Sequence, residues 1–218
     1  MGTGIAEVAA LAGFHVRVQD IAPVVLTHSR QRIDEDLKRR VARGRLEAAA
    51  AGDALALVTW VESLEHLRGV NVVIEAAPEE LALKRELFRR LDQVCEDAAM
   101  LASNTSSLSI SAIAAATRRP DRVVGLHFFN PVPAMALVEV IRGASTSAAT
   151  EAAAVELARA LGKTPVRVSE APGFLVNRVA RPFSTEAIRI LAEGLAPVEG
   201  IDRVMREAGG FRMGPFEL

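Results

Sequence analysis

A histidine inside one apolar run, VVGLHFFNP, and a glutamate inside another, LVEVI, are the two residues of this chain whose types and settings most directly suggest chemistry. Histidine has an unperturbed pKa near physiological pH, which suits that residue type to taking and returning a proton. Glu139 stands where an unpaired carboxylate would be costly to bury, and it needs a partner. A carboxylate bonded to one imidazole nitrogen fixes the tautomer and stabilises the imidazolium that forms when the other nitrogen receives a proton. The two residues therefore account for each other as a general base and its orienting acid. Ser106 in SNTSSL (103–108) and Asn177 in PGFLVNR (172–178) can complete the set by hydrogen-bonding a substrate held against that base. Taken singly, Ser106 reads as part of a polar turn capping a helix, and Asn177 as a helix-face residue.

The elements that must position these residues alternate. Strands are expected near 14–19, 55–59, 70–75, 99–103, 122–128, 137–141 and 165–168, with helices near 4–12, 23–43, 79–94, 109–116 and 148–161. Such alternation predicts a parallel sheet covered by helices on both faces. From Gly173 onward the strand pattern stops, and two helical stretches separated by 195–199 predict the opening of an all-helical domain, with the boundary near 169–172. The expected division is thus 1–170, an α/β doubly wound domain, and 171–218, the start of a helical one. The long charged helix at 23–43 reads as a solvated surface.

The first twenty residues have part of a dinucleotide-binding fingerprint. Gly2 and Gly4 open a helix, Gly13 closes it, a strand follows, and Asp20 ends that strand. A carboxylate there suits the ribose hydroxyls of an adenosine and repels a 2′-phosphate, so NAD is expected in preference to NADP, with Arg17 inside the strand and not placed to compensate. Asn104 ends the strand at 99–103, where an open sheet presents its ligand crevice.

SNTSSL, HFFNPVP and PGFLVNR, occurring in that order, resemble the L-3-hydroxyacyl-CoA dehydrogenases, and the resemblance runs almost the whole length of the chain. It implies a Rossmann-like domain, NAD as cofactor, an acyl-CoA substrate and oxidation of a 3-hydroxyacyl thioester to the 3-ketoacyl thioester. His127, Glu139, Ser106 and Asn177 then become the catalytic set, Ser106 and Asn177 meeting the substrate's 3-oxygen and thioester region. Gly2, Asp20, Glu79, Lys84, Asn104, Ser106 and Asn130 become the cofactor-binding set. Within that set, Glu79 matches the acid of an EA-x-x-E pattern and Asn130 the residue beside the nicotinamide; on their own, Glu79 suits a helix start and Lys84 an ion pair across a turn. The family's GxGxMG turn is matched only from its methionine, at Met1. The first strand is therefore expected to be missing from the middle of the sheet, the helical domain to be incomplete, and the chain to be a poor catalyst. A homodimer, a place in fatty acid metabolism such as β-oxidation, and the alternatives of a non-catalytic fragment or a related 3-hydroxy-acid dehydrogenase complete what the resemblance implies.

Bulk properties remove other classes. Twenty-six basic against 27 acidic residues give a net charge of −1, which offers no broad field for nucleic acid or an anionic membrane. Cys95 is the single cysteine, so no internal disulfide is expected; with no signal peptide or long apolar run, the reading is a cytoplasmic protein. His15, His28 and His66 lack metal-ligand spacing, and no metal is expected.

Overall fold

A computed structural model describes all residues, Met1–Leu218, and divides the chain into two compact units, Met1–Pro172 and Gly173–Leu218. The first unit runs α1 (Gly2–Leu11), β1 (Val16–Gln19), α2 (Pro23–Ala42), α3 (Ala48–Ala56), β2 (Val58–Val61), β3 (Val72–Glu75), α4 (Leu81–Val94), β4 (Met100–Ser103), α5 (Ile110–Ala114), β5 (Val123–Phe128), β6 (Leu137–Arg142), α6 (Ala148–Ala160) and β7 (Thr164–Ser169). Local chemistry sets several of these limits. Gly13 takes φ 86° just past α1, Pro23 opens α2, and Ser147 Oγ accepts the Thr150 N–H at 3.2 Å to cap α6.

The strands form two sheets. β1 and β2 pair in parallel, and a five-stranded sheet has the order β3-β4-β5-β6-β7. β1 and β3 are not paired with each other. Helix α1 joins the two pieces with opposite faces. Its Ile5 and Val8 pack with Ala102, Val124 and Leu126 of the larger sheet, whereas Ala6 packs with Ile33 and Leu37 of α2, and Ala10 with Ala54 and Val58.

Two sequence expectations are corrected. The run near 55–59 is not a strand from its start: Ala48–Ala56 is helix α3 and the strand begins at Val58. Four successive alanines favour a helix, and the short apolar run LALV has no period of its own to oppose it. The sheet is also not wholly parallel, because β6 runs antiparallel to β5, and β7 parallel to β6. Only residues 129–136 join β5 to β6, too few for the crossover that a parallel pairing needs. This reversal sets His127 directly opposite Glu139 in the register.

The second unit contains α7 (Val176–Ala192) and α8 (Val198–Glu207). Gly173 and Phe174 both have positive φ, 75° and 49°, making a sharp turn into α7. Phe183 of α7 and Phe211 after α8 stack with ring centroids 4.8 Å apart, and the Phe216 N–H donates to Asp202 Oδ1 at 2.9 Å.

Candidate active site

The parallel strands β3, β4 and β5 end at one rim of the larger sheet, with Glu75, Ser103 and His127 near their C-terminal ends. The start of α1 reaches the same rim. A Cβ at Gly2 would lie 3.7 Å from Ala76 Cβ, just past β3, and one at Gly4 would lie 3.1 Å from Val132 Cβ, just past β5. A helix N-terminus and the ends of three strands thus converge where an open α/β sheet binds ligands.

His127 is 7% exposed and Glu139 fully buried, and their Nδ1 and Oε2 atoms are 2.7 Å apart. With Glu139 ionised, Nδ1 carries the proton and donates it to the carboxylate, which makes Nε2 the basic nitrogen. The Phe129 ring lies against the imidazole at 4.5 Å between centroids. Asn104 Oδ1 accepts the Phe128 N–H at 2.8 Å, fastening the turn after β4 to the residue beside His127.

That turn is organised by Glu79. Its Oε1 accepts from Thr105 Oγ1 at 2.5 Å, the Ser106 N–H at 2.9 Å, Ser106 Oγ at 3.2 Å and Ser107 Oγ at 3.3 Å. Its other oxygen is 3.4 Å from Lys84 Nζ. Partial burial pushes the Glu79 carboxyl up, but the Thr105 hydroxyl, the Ser106 N–H, the Lys84 charge and the Ser106 hydroxyl outweigh it and hold the group below the usual carboxylate range. A depressed native value means that this hold is complete above the ordinary carboxylate pKa of about 4.3 and is lost as pH falls through the lower native one. Amide exchange read on Thr105–Leu108, corrected for its intrinsic pH dependence, should keep its protection down to about pH 4 and lose it below. Protection unchanged down to full protonation would contradict that role.

Lys84 is 1% exposed, and its ammonium donates to Glu75 Oε1 at 2.6 Å and Ala77 O at 3.0 Å. Glu75 in turn accepts from Ser103 Oγ at 2.6 Å and the Ala77 N–H at 2.5 Å. Sequence reasoning passed over Glu75, Ser103 and Thr105. Glu75 carried a signal like that of Glu139, an acid in an apolar strand, here at its end.

Asp20 is half-buried at the end of β1, with Oδ1 accepting the Ala22 N–H at 2.9 Å. Arg17 donates to the carbonyls of His66 and Arg68 at 2.6 and 2.8 Å, so its guanidinium is engaged by the backbone there. Asn130 is exposed on the loop past β5, and buried Lys163 braces that loop by donating to Val132 O at 2.6 Å and Met135 O at 2.9 Å. Asn177 lies half-buried in the first turn of α7, in the second unit.

A family model described as 3-hydroxyacyl-CoA dehydrogenase, NAD binding domain, matches residues 1–171, and one for the C-terminal domain of the same family matches 173–218. The chain belongs to the 3-hydroxyacyl-CoA dehydrogenase family. Its first unit is the NAD-binding domain of such an enzyme, with the Rossmann-like fold that the sequence led us to expect. Over its whole length the chain is 47% identical to the 3-hydroxyadipyl-CoA dehydrogenase of Escherichia coli, of which it spans 46%, and 44% identical to a probable 3-hydroxybutyryl-CoA dehydrogenase of Bacillus subtilis, of which it spans 76%. Among solved structures it resembles the (S)-3-hydroxybutyryl-CoA dehydrogenase of Ralstonia eutropha at a TM-score of 0.97 and 41% identity, covering 99% of this chain and 76% of that one.

Proposed function

We propose that this member of the 3-hydroxyacyl-CoA dehydrogenase family interconverts an L-3-hydroxyacyl-CoA and its 3-ketoacyl-CoA with NAD, and that His127 is the general base. The observation that carries this reading is the buried 2.7 Å contact of His127 Nδ1 with Glu139 at the ligand-binding rim of the sheet. Bound NAD supplies the hydride acceptor. His127 takes the 3-hydroxyl proton at Nε2, and Glu139 offsets the charge that then develops on the ring. Ser106 and Asn177 hold the substrate's 3-oxygen and thioester region, which fixes the reacting carbon. Gly2 lies at the pyrophosphate, Asp20 at the adenosine ribose, and Glu79, Lys84, Asn104, Ser106 and Asn130 form the nicotinamide side. Oxidation of NADH on addition of acetoacetyl-CoA tests the activity, and its absence at high enzyme concentration would refute it.

The choice of cofactor rests on Asp20. Asp20→Ala should weaken NAD binding and narrow the preference for NAD over NADP, because the carboxylate both binds the ribose hydroxyls and repels a 2′-phosphate. Titration of each cofactor against parent and variant reads this directly. Equal affinities in the parent would contradict it.

We also propose that the enzyme is a cytoplasmic homodimer acting in fatty acid metabolism such as β-oxidation. No helix is long and apolar enough to cross a membrane. The second unit exposes several apolar side chains, Val179 at 69%, Ile188 at 58%, Leu195 at 71% and Phe211 at 50%, some of which a second copy would cover. Sedimentation should give the mass of a dimer, and a monomer at tens of micromolar would overturn this.

A further inference from the structure

We infer that Lys163, in the turn between α6 and β7, is a positioning residue for the loop that carries Asn130. It sets that loop against the first turn of α1 and so shapes the nicotinamide end of the cofactor site. The inference rests on the dehydrogenase reading, from which Asn130 takes its place beside the nicotinamide, and deepens it by naming what holds that side of the site. It starts from a buried ammonium that the proton transfer does not use. Lys163 Nζ donates to Val132 O at 2.6 Å and Met135 O at 2.9 Å, and the next residue, Thr164, donates its N–H to Ala136 O at 2.8 Å. Among those carbonyls the loop folds on itself, the N–H groups of Ala134 and Met135 both donating to Pro131 O. One cation thus fastens a turn that begins directly after Asn130.

Val132 is where this hold reaches the helix. Its side chain shares a core cluster with Ile5 and Val8 of α1, and a Cβ at Gly4 would lie 3.1 Å from Val132 Cβ and 3.4 Å from Pro133 Cδ. Any side chain at Gly4 would press the loop outward. The start of α1 is assigned to the pyrophosphate and Asn130 to the nicotinamide, so the spacing of helix and loop has to match the cofactor's own span. Charge links the two elements as well. Glu7, buried on α1, lies 3.2 Å from Arg40 Nη2 of α2. Burial, and then the Arg40 charge, push the Lys163 ammonium down, while the Glu7 carboxylate opposes both. An acid on the pyrophosphate helix therefore favours the charged form of the lysine that holds the loop.

The test compares, on the full chain, the binding of NADH with that of ADP-ribose, which keeps the adenosine and pyrophosphate and lacks the nicotinamide. Lys163→Met keeps the aliphatic stem and removes the donors. The dissociation constant for NADH should rise by about tenfold and that for ADP-ribose by less than about threefold, a split that a general loss of structure would not produce. Amide exchange at Ala134 and Met135 should accelerate by at least about fivefold in the same variant. With Asn130→Ala added, the loss of NADH affinity should stay within about twofold of the larger single loss, because the lysine acts through the loop that presents Asn130. Lys163→Gln, which keeps a neutral donor, should fall between the parent and Lys163→Met; if the latter does not fold, the Gln variant decides alone by the same comparison. Equal weakening of NADH and ADP-ribose, unchanged NADH affinity in a folded variant, multiplicative losses with Asn130→Ala, or unchanged exchange would each overturn the positioning role. A parent that binds NADH but does not turn over acetoacetyl-CoA removes the dehydrogenase reading, and the NADH comparison still judges the loop. An active parent whose Lys163 variants bind both ligands as before removes the inference alone.

Discussion

Replacing His127 by Gln is expected to lower NADH-dependent turnover of acetoacetyl-CoA by about 10²–10⁴. The amide fills much of the imidazole's space and can still bond Glu139, so the strand pairing of β5 with β6 should survive. What it lacks is a basic ring nitrogen to accept the proton. The loss should therefore appear in kcat, with the dissociation constant for NADH within about twofold of the parent, because His127 is assigned to the substrate's proton and not to the cofactor's binding. Stopped-flow single turnover, in which product release plays no part, is the cleanest reading. Near-normal turnover would remove His127 as the base.

Glu139→Gln is expected to reduce turnover by up to about 10⁴, for a different reason. The carboxylate accepts only, so it specifies that Nδ1 holds the proton. An amide can present either its oxygen or its nitrogen to the ring. When the nitrogen faces Nδ1, the imidazole is driven to the other tautomer, with the proton on Nε2 where the substrate's should arrive. Even in the favourable orientation a neutral amide stabilises the developing imidazolium less than a carboxylate does. Proton-detected NMR of the ring nitrogens can report the tautomer directly. A variant that keeps parental turnover with the same tautomer would show that Glu139's charge is not needed.

Residues with one function in one strand were the easiest to read. His127 and Glu139 were legible because each broke an apolar run, and burial makes an unpaired polar group costly enough to imply its partner. Their pairing depends on the antiparallel turn-back of β6, which the pattern of strands and helices alone did not foretell. The short link at 129–136 could have done so, since a parallel crossover needs more chain. Helix α3 was missed because an alanine-rich stretch running into LALV has composition but no usable period. The Glu75–Lys84–Glu79 network was beyond sequence reading in its connectivity, although Glu75 carried its own sign. Which donors share one carboxylate oxygen depends on how two separate turns meet in space, and no spacing along the chain encodes that.

The way α1 joins the two sheets bears on how the domain comes apart. β1 and β2, with the helices α2 and α3 between them, form a segment continuous in sequence from residue 16 to residue 61. No ladder of backbone hydrogen bonds connects it to β3. It is held chiefly by side chains on one helix and by bonds such as those of Arg17 to His66 O and Arg68 O. Cooperative opening can therefore stop at that seam, so this segment should behave as a foldon of its own, less stable than the five-stranded sheet. Asp20 lies inside it, whereas His127, Glu139 and the Ser106 turn lie outside. Partial unfolding would thus release Asp20, the proposed adenosine end of the site, while leaving the His127–Glu139 pair, the proposed proton-transfer end, in place.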